Sequence, residues 1–221
     1  MTASAALQPL KSGLLSSRAF DTLRTAIFNG SLAPGAPLRE LHLARDLHVS
    51  QSTVRQALVQ LEQLGLVVRT PHIGTQVTRM SAQEVRERVE LRAVLEARAL
   101  AEASPRMTDE AFDTLRTRLD TLSAATARND YFEQAQADLE FHRAIWQQAG
   151  NRTLYRTLDQ LAVPLFAFIS ILRGANRQTL VEVVQSHEGM VDALRSGDPA
   201  EIRDTLHQHL VSGFSTPDPW T

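Results

Sequence analysis

The chain has 221 residues, a net charge of −2, 43% hydrophobic and 22% charged residues, and no cysteine. That composition is ordinary for a soluble globular protein of one large or two modest domains. It excludes a disulfide scaffold, a cysteine zinc finger, an iron–sulfur centre and a cysteine nucleophile. No run approaches the about 20 unbroken apolar residues of a spanning helix, and Met1 to Pro9 lack the basic start and apolar run of a signal peptide. A cytoplasmic location with no membrane partner is expected. The charge is unevenly placed, with eight Lys/Arg and four Asp/Glu in residues 1–79 against fifteen and twenty-one in the remainder. A basic first third joined to an acidic remainder suggests two units, one of them suited to an anion.

Helical spacing of Ala19/Phe20, Leu23 and Ala26/Ile27 predicts a helix over 16–28, broken by Asn29-Gly30 and the Pro34 to Pro37 segment. A short helix over 39–47 follows, with Leu41, Ala44 and Leu47 on one side. After the tight connection His48-Val49-Ser50, Ser50 is placed as the N-cap of a helix from about Gln51 to Leu64. Its apolar residues are Val54, Ala57, Leu58, Leu61 and Leu64, and Gly65 ends it. Leu66 to Arg69 and Thr75 to Thr78 read as two short strands about a turn at Thr70 to Gly74.

Two helices about a tight turn followed by a hairpin is the layout of a winged helix-turn-helix, whose second helix lies in the DNA major groove. The polar first turn offers Ser50, Ser52 and Thr53 for phosphate oxygens, Gln51 or Gln56 for adenine, and Arg55 for guanine or phosphate. Taken alone, the pattern fits equally a small core with no ligand. The run Gly30-Ser31-Leu32-Ala33-Pro34-Gly35 with Leu38-Arg39-Glu40 and Leu43-Ala44 resembles the GntR family of bacterial transcription regulators. So do Val49-Ser50, Val54-Arg55-Gln56-Ala57-Leu58, Leu61, Leu64-Gly65-Leu66, and Pro71 with Gly74 and Val77. The resemblance implies a double-stranded DNA operator as partner, with Arg55, Thr53, Ser50 and the wing around Gly74 as contacts; Gln51, Ser52 and Gln56 of the polar first turn and His72 of the wing complete the expected DNA-binding set. Gln51, Leu41 and Ile73 stand where the family commonly has basic residues. Each difference removes a charge that could meet phosphate or guanine, so the expected binding is either weaker or more adenine-directed than is usual for the family.

From Ser81 onward only helices are expected. Ser81 with Glu84 forms a capping box for a helix to about Ala103. Thr108 opens the next to about Ala127, Asp130 with Glu133 a third to Gly150, and Asn151 a fourth to about Arg173, bent or interrupted at Pro164. Asn176 opens a fifth, and Asp198-Pro199 a sixth that ends at Gly213. The expected architecture is mainly α: a winged helix-turn-helix over 10–79, an antiparallel bundle of six or seven helices over 81–213, and an irregular tail over 214–221.

Four polar residues occupy bundle positions that should be apolar. Asp138 and His142 share one helix face with Tyr131, Ala135 and Ile145. His187 lies on the stripe of Leu180, Val184, Val191 and Leu194, and His209 on that of Ile202, Leu206 and Gly213. One carboxylate and three imidazoles suit a divalent ion, zinc first and nickel, manganese or iron as alternatives. A lone inward histidine is more often hydrogen-bonded core than ligand, so spacing alone leaves both readings open. His207 faces away from His209, and His42 and His48 are expected at the surface. Asp138-x-x-Phe141-His142, Gly150-Asn151, Ser186-His187, Gly197-Asp198 and His209-Leu210 resemble the FCD-type effector domain of the FadR subgroup of GntR regulators. That resemblance implies a metal held by Asp138, His142, His187 and His209, and a small carboxylate effector. Glu90 to Glu96 resembles the first helix of that domain, where Arg92 either offers a fork to the effector or makes a surface pair with Glu96 at i+4. The reading is a metabolite-responsive homodimeric regulator, since paired half-sites need two recognition helices. The alternative is a helical metalloenzyme built on the same Asp/His set, for which no separate general acid or base is evident.

Overall fold

The computed structural model describes residues 12–176 and 181–214. Helix α1 (Ser12–Phe28) buries Ala19, Leu23, Ile27 and Phe28, so the apolar spacing sets its inner face, although the helix begins earlier than Ser16. Helices α2 (Glu40–Asp46) and α3 (Gln51–Gln63) meet at a corner where His48 takes φ 52°. Ser50 caps α3 by accepting from the Thr53 amide at 3.1 Å. Val54, Ala57, Leu58 and Leu61 are fully buried along the inner face of α3.

Gly65 ends α3 in the left-handed region, φ 71°, with Leu66 N–H bonded to Leu61 O and Gly65 N–H to Glu62 O. These two bonds satisfy carbonyls that the helix end would otherwise leave open. The chain then enters the antiparallel hairpin of β1 (Val67–Thr70) and β2 (Gly74–Val77), in the register Val67 opposite Val77.

The remainder, among the described residues, is helical. It comprises α4 (Ala82–Ala103), a 3-10 turn at Ser104–Arg106, α5 (Asp109–Ala127), α6 (Tyr131–Gln148), α7 (Arg152–Asn176), α8 (Val181–Ser196) and α9 (Pro199–Phe214). The expected starts are set by side chains that accept from orphan amides. Ser81 and Glu84 form the capping box of α4, Thr108 caps α5 and Asp130 caps α6. Asn151 accepts from Leu154 N at 3.1 Å, and Asp198 from Ala200 N at 2.8 Å.

The course of α7 also differs from the sequence reading. Helix α7 runs unbroken through Pro164, and Asn176 is its last residue rather than the start of the next helix. Residues 177–180 and the tail from 215 lie outside the described residues, as do Met1 to Lys11. Segment Arg152–Gly174 of α7 is long and apolar enough, by composition alone, to cross a membrane. Its Leu158, Ala162, Val163, Leu165, Phe166 and Ile169 are instead buried against neighbouring helices.

Helix α7 also ties the two parts of the molecule together. One continuous core joins Leu23, Ile27, Leu58, Leu61 and Leu66 of the N-terminal part to Leu158, Ala162, Val163, Phe166 and Ala167 of α7. At this seam Pro164 Cγ lies where a Cβ on residue 65 would approach to 3.0 Å, so the end of α3 sits directly on α7. A second core, of Leu100, Phe112, Leu115, Phe141, Ile145, Met190, Leu194 and Leu206 among others, holds α4, α5, α6, α8 and α9 around the polar cluster described next.

Candidate metal and DNA sites

Asp138 and His142 project from α6, His187 from α8 and His209 from α9, and all four are buried. Their candidate ligand atoms lie within 4.8 Å of one another. His187 Nε2 is 2.9 Å from Asp138 Oδ1, His142 Nε2 is 3.4 Å from the same oxygen, and His142 Nε2 is 3.1 Å from His209 Nε2.

The other nitrogen of each ring decides what these contacts mean. His187 Nδ1 lies 2.6 Å from the Val183 carbonyl and donates to it. His209 Nδ1 is 3.1 Å from Ser186 Oγ, whose own hydrogen goes to Val183 O at 2.8 Å, so the hydroxyl oxygen accepts from His209. His142 Nδ1 lies 2.9 Å from a Glu96 carboxylate oxygen. In the tautomer that places the proton on each Nδ1, three Nε2 lone pairs and one carboxylate oxygen face each other. Four buried acceptors this close repel unless positive charge lies among them. This donor set fits a divalent ion of the zinc class, and the partners behind the rings fix the tautomer that ligation needs.

Electrostatics follow the same geometry. Burial pushes the Asp138 carboxyl up, but the neighbouring His187 and His142 outweigh it and hold its pKa well below the usual range. Burial lowers the pKa of His209, and His187 and His142 lower it further, so its ring stays neutral. For His142 burial is opposed by Glu96 and Asp138, which raise its pKa.

Arg92 and Glu96, one turn apart on α4, are both completely buried. The i+4 pair is made, with Arg92 Nε 2.6 Å and Nη2 2.5 Å from Glu96 Oε1, but inside the core rather than at the surface. The Arg92 guanidinium stacks 4.9 Å over the Phe166 ring. Its fork is therefore engaged by Glu96, and its link to the cluster runs through Glu96 and His142. Glu96 also accepts from Trp146 Nε1 at 3.3 Å. Against the cost of burial, Arg92 and His142 draw its pKa down to about 2. From the sequence, Glu96 stands only as a partner for Arg92 at i+4. The signal available was its place on the buried stripe of Arg92, Ala99, Leu100 and Ala103.

Ser50, Gln51, Ser52, Arg55 and Gln56 are exposed at the start of α3, and His72 and Gly74 at the tip of the hairpin. Thr53 differs from the sequence reading. It is 8% exposed, and its hydroxyl is 2.9 Å from Ser50 Oγ, so it completes the helix cap instead of standing open to a phosphate. Arg55 is gripped by Glu40 of α2, a pairing the sequence reading did not foresee. His42, His48 and His207 are exposed.

Residues 15–77 match the family model of the bacterial regulatory proteins of the gntR family, and residues 87–212, more than half of the chain, match the FCD domain. The chain belongs to the GntR family, as a regulator with an FCD domain. It is 29% identical to a probable D-xylose utilization operon transcriptional repressor of Paenarthrobacter nicotinovorans, over 90% of this chain and 86% of that one. It is 25% identical to the HTH-type transcriptional repressor RspR of Escherichia coli, over 85% and 82%. In fold it matches E. coli McbR/YncC with a TM-score of 0.76 at 24% identity, covering 90% of this chain and 94% of that one. This GntR regulator is a DNA-binding transcription factor and not an enzyme, which decides against the metalloenzyme alternative.

Proposed function

We propose that this GntR regulator is a cytoplasmic homodimer of the FadR subgroup whose operator affinity is set by a small carboxylate bound at a divalent metal. The observation that carries the reading is the convergence of three imidazole Nε2 atoms and Asp138 Oδ1, from three helices, in one buried site. Asp138, His142, His187 and His209 would hold the ion, with zinc the first choice for an N₃O set. When bound, the ion supplies open positions for a carboxylate oxygen. Glu96 and Ser186 keep the rings of His142 and His209 turned to the ion, while Arg92 pairs with Glu96 one layer behind and holds that carboxylate in place.

The regulator reads DNA through the start of α3. Arg55 meets a base edge, Gln51 and Gln56 favour adenine, Ser50 and Ser52 bind backbone oxygens, Thr53 holds the cap, and His72 and Gly74 carry the wing to the neighbouring groove. Two copies read paired half-sites. Helix α7 is the route of control: Phe166 stacks on Arg92 beside the site, and Pro164, two residues earlier, carries the end of α3. Repression is the favoured sense, since two relatives bear the name repressor. The test is gel-shift binding to duplexes selected from a random pool, with and without chelator and with a panel of small organic acids. Release or tightening by one acid, lost on chelation, is the expected result. Operator affinity insensitive to every acid and to chelation would overturn the reading.

A further inference from the structure

Glu40 and Arg55 lie on different helices, fifteen residues apart. Arg55 Nε lies 3.1 Å from both oxygens of Glu40, and Arg55 Nη2 is 2.7 Å from Oε2. The carboxylate thus takes one edge of the guanidinium. A guanidinium carries five N–H donors in a rigid plane, so the hydrogens at its far end remain directed outward. That end-on pair matches the O6 and N7 acceptors of guanine. The arginine side chain is 58% exposed and the glutamate 26%, so the carboxylate sits behind the cation that faces solvent. Arg69 of β1 attracts the same carboxylate. An exposed ion pair adds little to stability in water, so this pairing has small structural worth. A fixed negative charge on a surface meant for DNA also repels phosphates, which lowers sequence-independent affinity.

We propose that Glu40 is a positioning residue for sequence readout: it holds the Arg55 guanidinium by one edge, turns its end toward a guanine, and keeps it off the phosphate backbone. The inference rests on the reading of α3 as the recognition helix. Glu40 therefore trades general affinity for discrimination, in a DNA-reading surface where Leu41, Gln51 and Ile73 carry no charge to meet phosphate.

The test uses the full-length protein as wild type, Glu40→Gln, Glu40→Asp, Arg55→Ala and the Glu40→Gln/Arg55→Ala double variant. Each is run through selection on a random duplex pool, and binding to one scrambled duplex is measured alongside. Wild type selects guanine at one position per half-site, and Arg55→Ala loses that preference. Glu40→Gln weakens it on the order of tenfold while binding to the scrambled duplex rises. Glu40→Asp keeps the charge with a shorter reach and falls between. The double variant is no less selective at that position than Arg55→Ala alone. If Arg55→Ala selects the same sequence as wild type, the reading of α3 falls and this proposal with it. If Arg55→Ala loses the preference and Glu40→Gln keeps it, recognition by α3 stands and the role of Glu40 is refuted. Additive losses in the double variant also refute it, because Glu40 then acts independently of Arg55.

Discussion

Replacing Glu96 by glutamine isolates the layer behind the Asp/His cluster. The carboxylate is completely buried and meets Arg92, His142 Nδ1 and Trp146 Nε1. Glutamine has nearly the same shape and still offers one acceptor to His142 or Trp146. It removes the charge that pairs with Arg92 and turns an N–H₂ group toward guanidinium hydrogens. Breaking one side of a buried pair costs about 3–5 kcal/mol. The depressed pKa of Glu96 reflects the same contacts and points the same way. Glu96 falls from 4.5 to about 2 on folding, and at about 1.4 kcal/mol per unit this is about 3 kcal/mol in favour of the folded state. A group whose folded pKa is depressed contributes above its unfolded pKa, and the contribution is lost as pH falls through the folded one. The wild type should therefore exceed Glu96→Gln by about 3 kcal/mol at pH 7, and the gap should close as pH falls from about 4.5 to about 2. Urea unfolding of chelator-treated protein across that range reads it. Metal affinity should drop roughly 10–100-fold in the same variant, since the His142 ring loses its anionic partner. A variant as stable as wild type at pH 7, or a gap that does not change with pH, would refute the reasoning.

Other perturbations act on separate features. Gly65→Ala puts a Cβ 3.0 Å from Pro164 Cγ at a residue with φ +71°, and should lower stability by about 1–3 kcal/mol in urea unfolding. His187→Ala should abolish the thermal shift produced by added zinc, whereas His207→Ala should leave it intact, because His207 is exposed and outside the cluster. In isothermal titration, metal affinity should weaken as pH falls through the raised pKa of His142, where that imidazole protonates in competition with the ion, while His209, held neutral by burial, competes only at lower pH. Gln51→Arg should move the selected sequence toward guanine at one position per half-site, read by selection on random duplexes.

The helix starts were legible because their caps are local. Ser81, Thr108, Asp130, Asn151 and Asp198 each bond an amide two or three residues on, a distance written in the sequence itself. The Asp/His set was legible for a related reason, since each member breaks an apolar stripe at helical spacing. What could not be read depends on packing between helices. The sequence shows that Arg92 and Glu96 share a face, but not that α7 covers that face with Phe166 and buries the pair. Periodicity places Arg55 on the polar side of α3, but its grip on Glu40 follows from the angle between α2 and α3. Pro164 suggested a break, yet α7 continues because its apolar flanks are held by cores on both sides.

The central claim is that a divalent ion completes the Asp138, His142, His187 and His209 cluster. Native mass spectrometry of gently purified protein, with elemental analysis of the same sample, tests it most directly. Wild type should carry one divalent ion per chain, lost on chelation and regained with zinc, and His187→Ala should carry none. Wild-type protein that carries no stoichiometric metal and takes up none when zinc, nickel or manganese is added would contradict it.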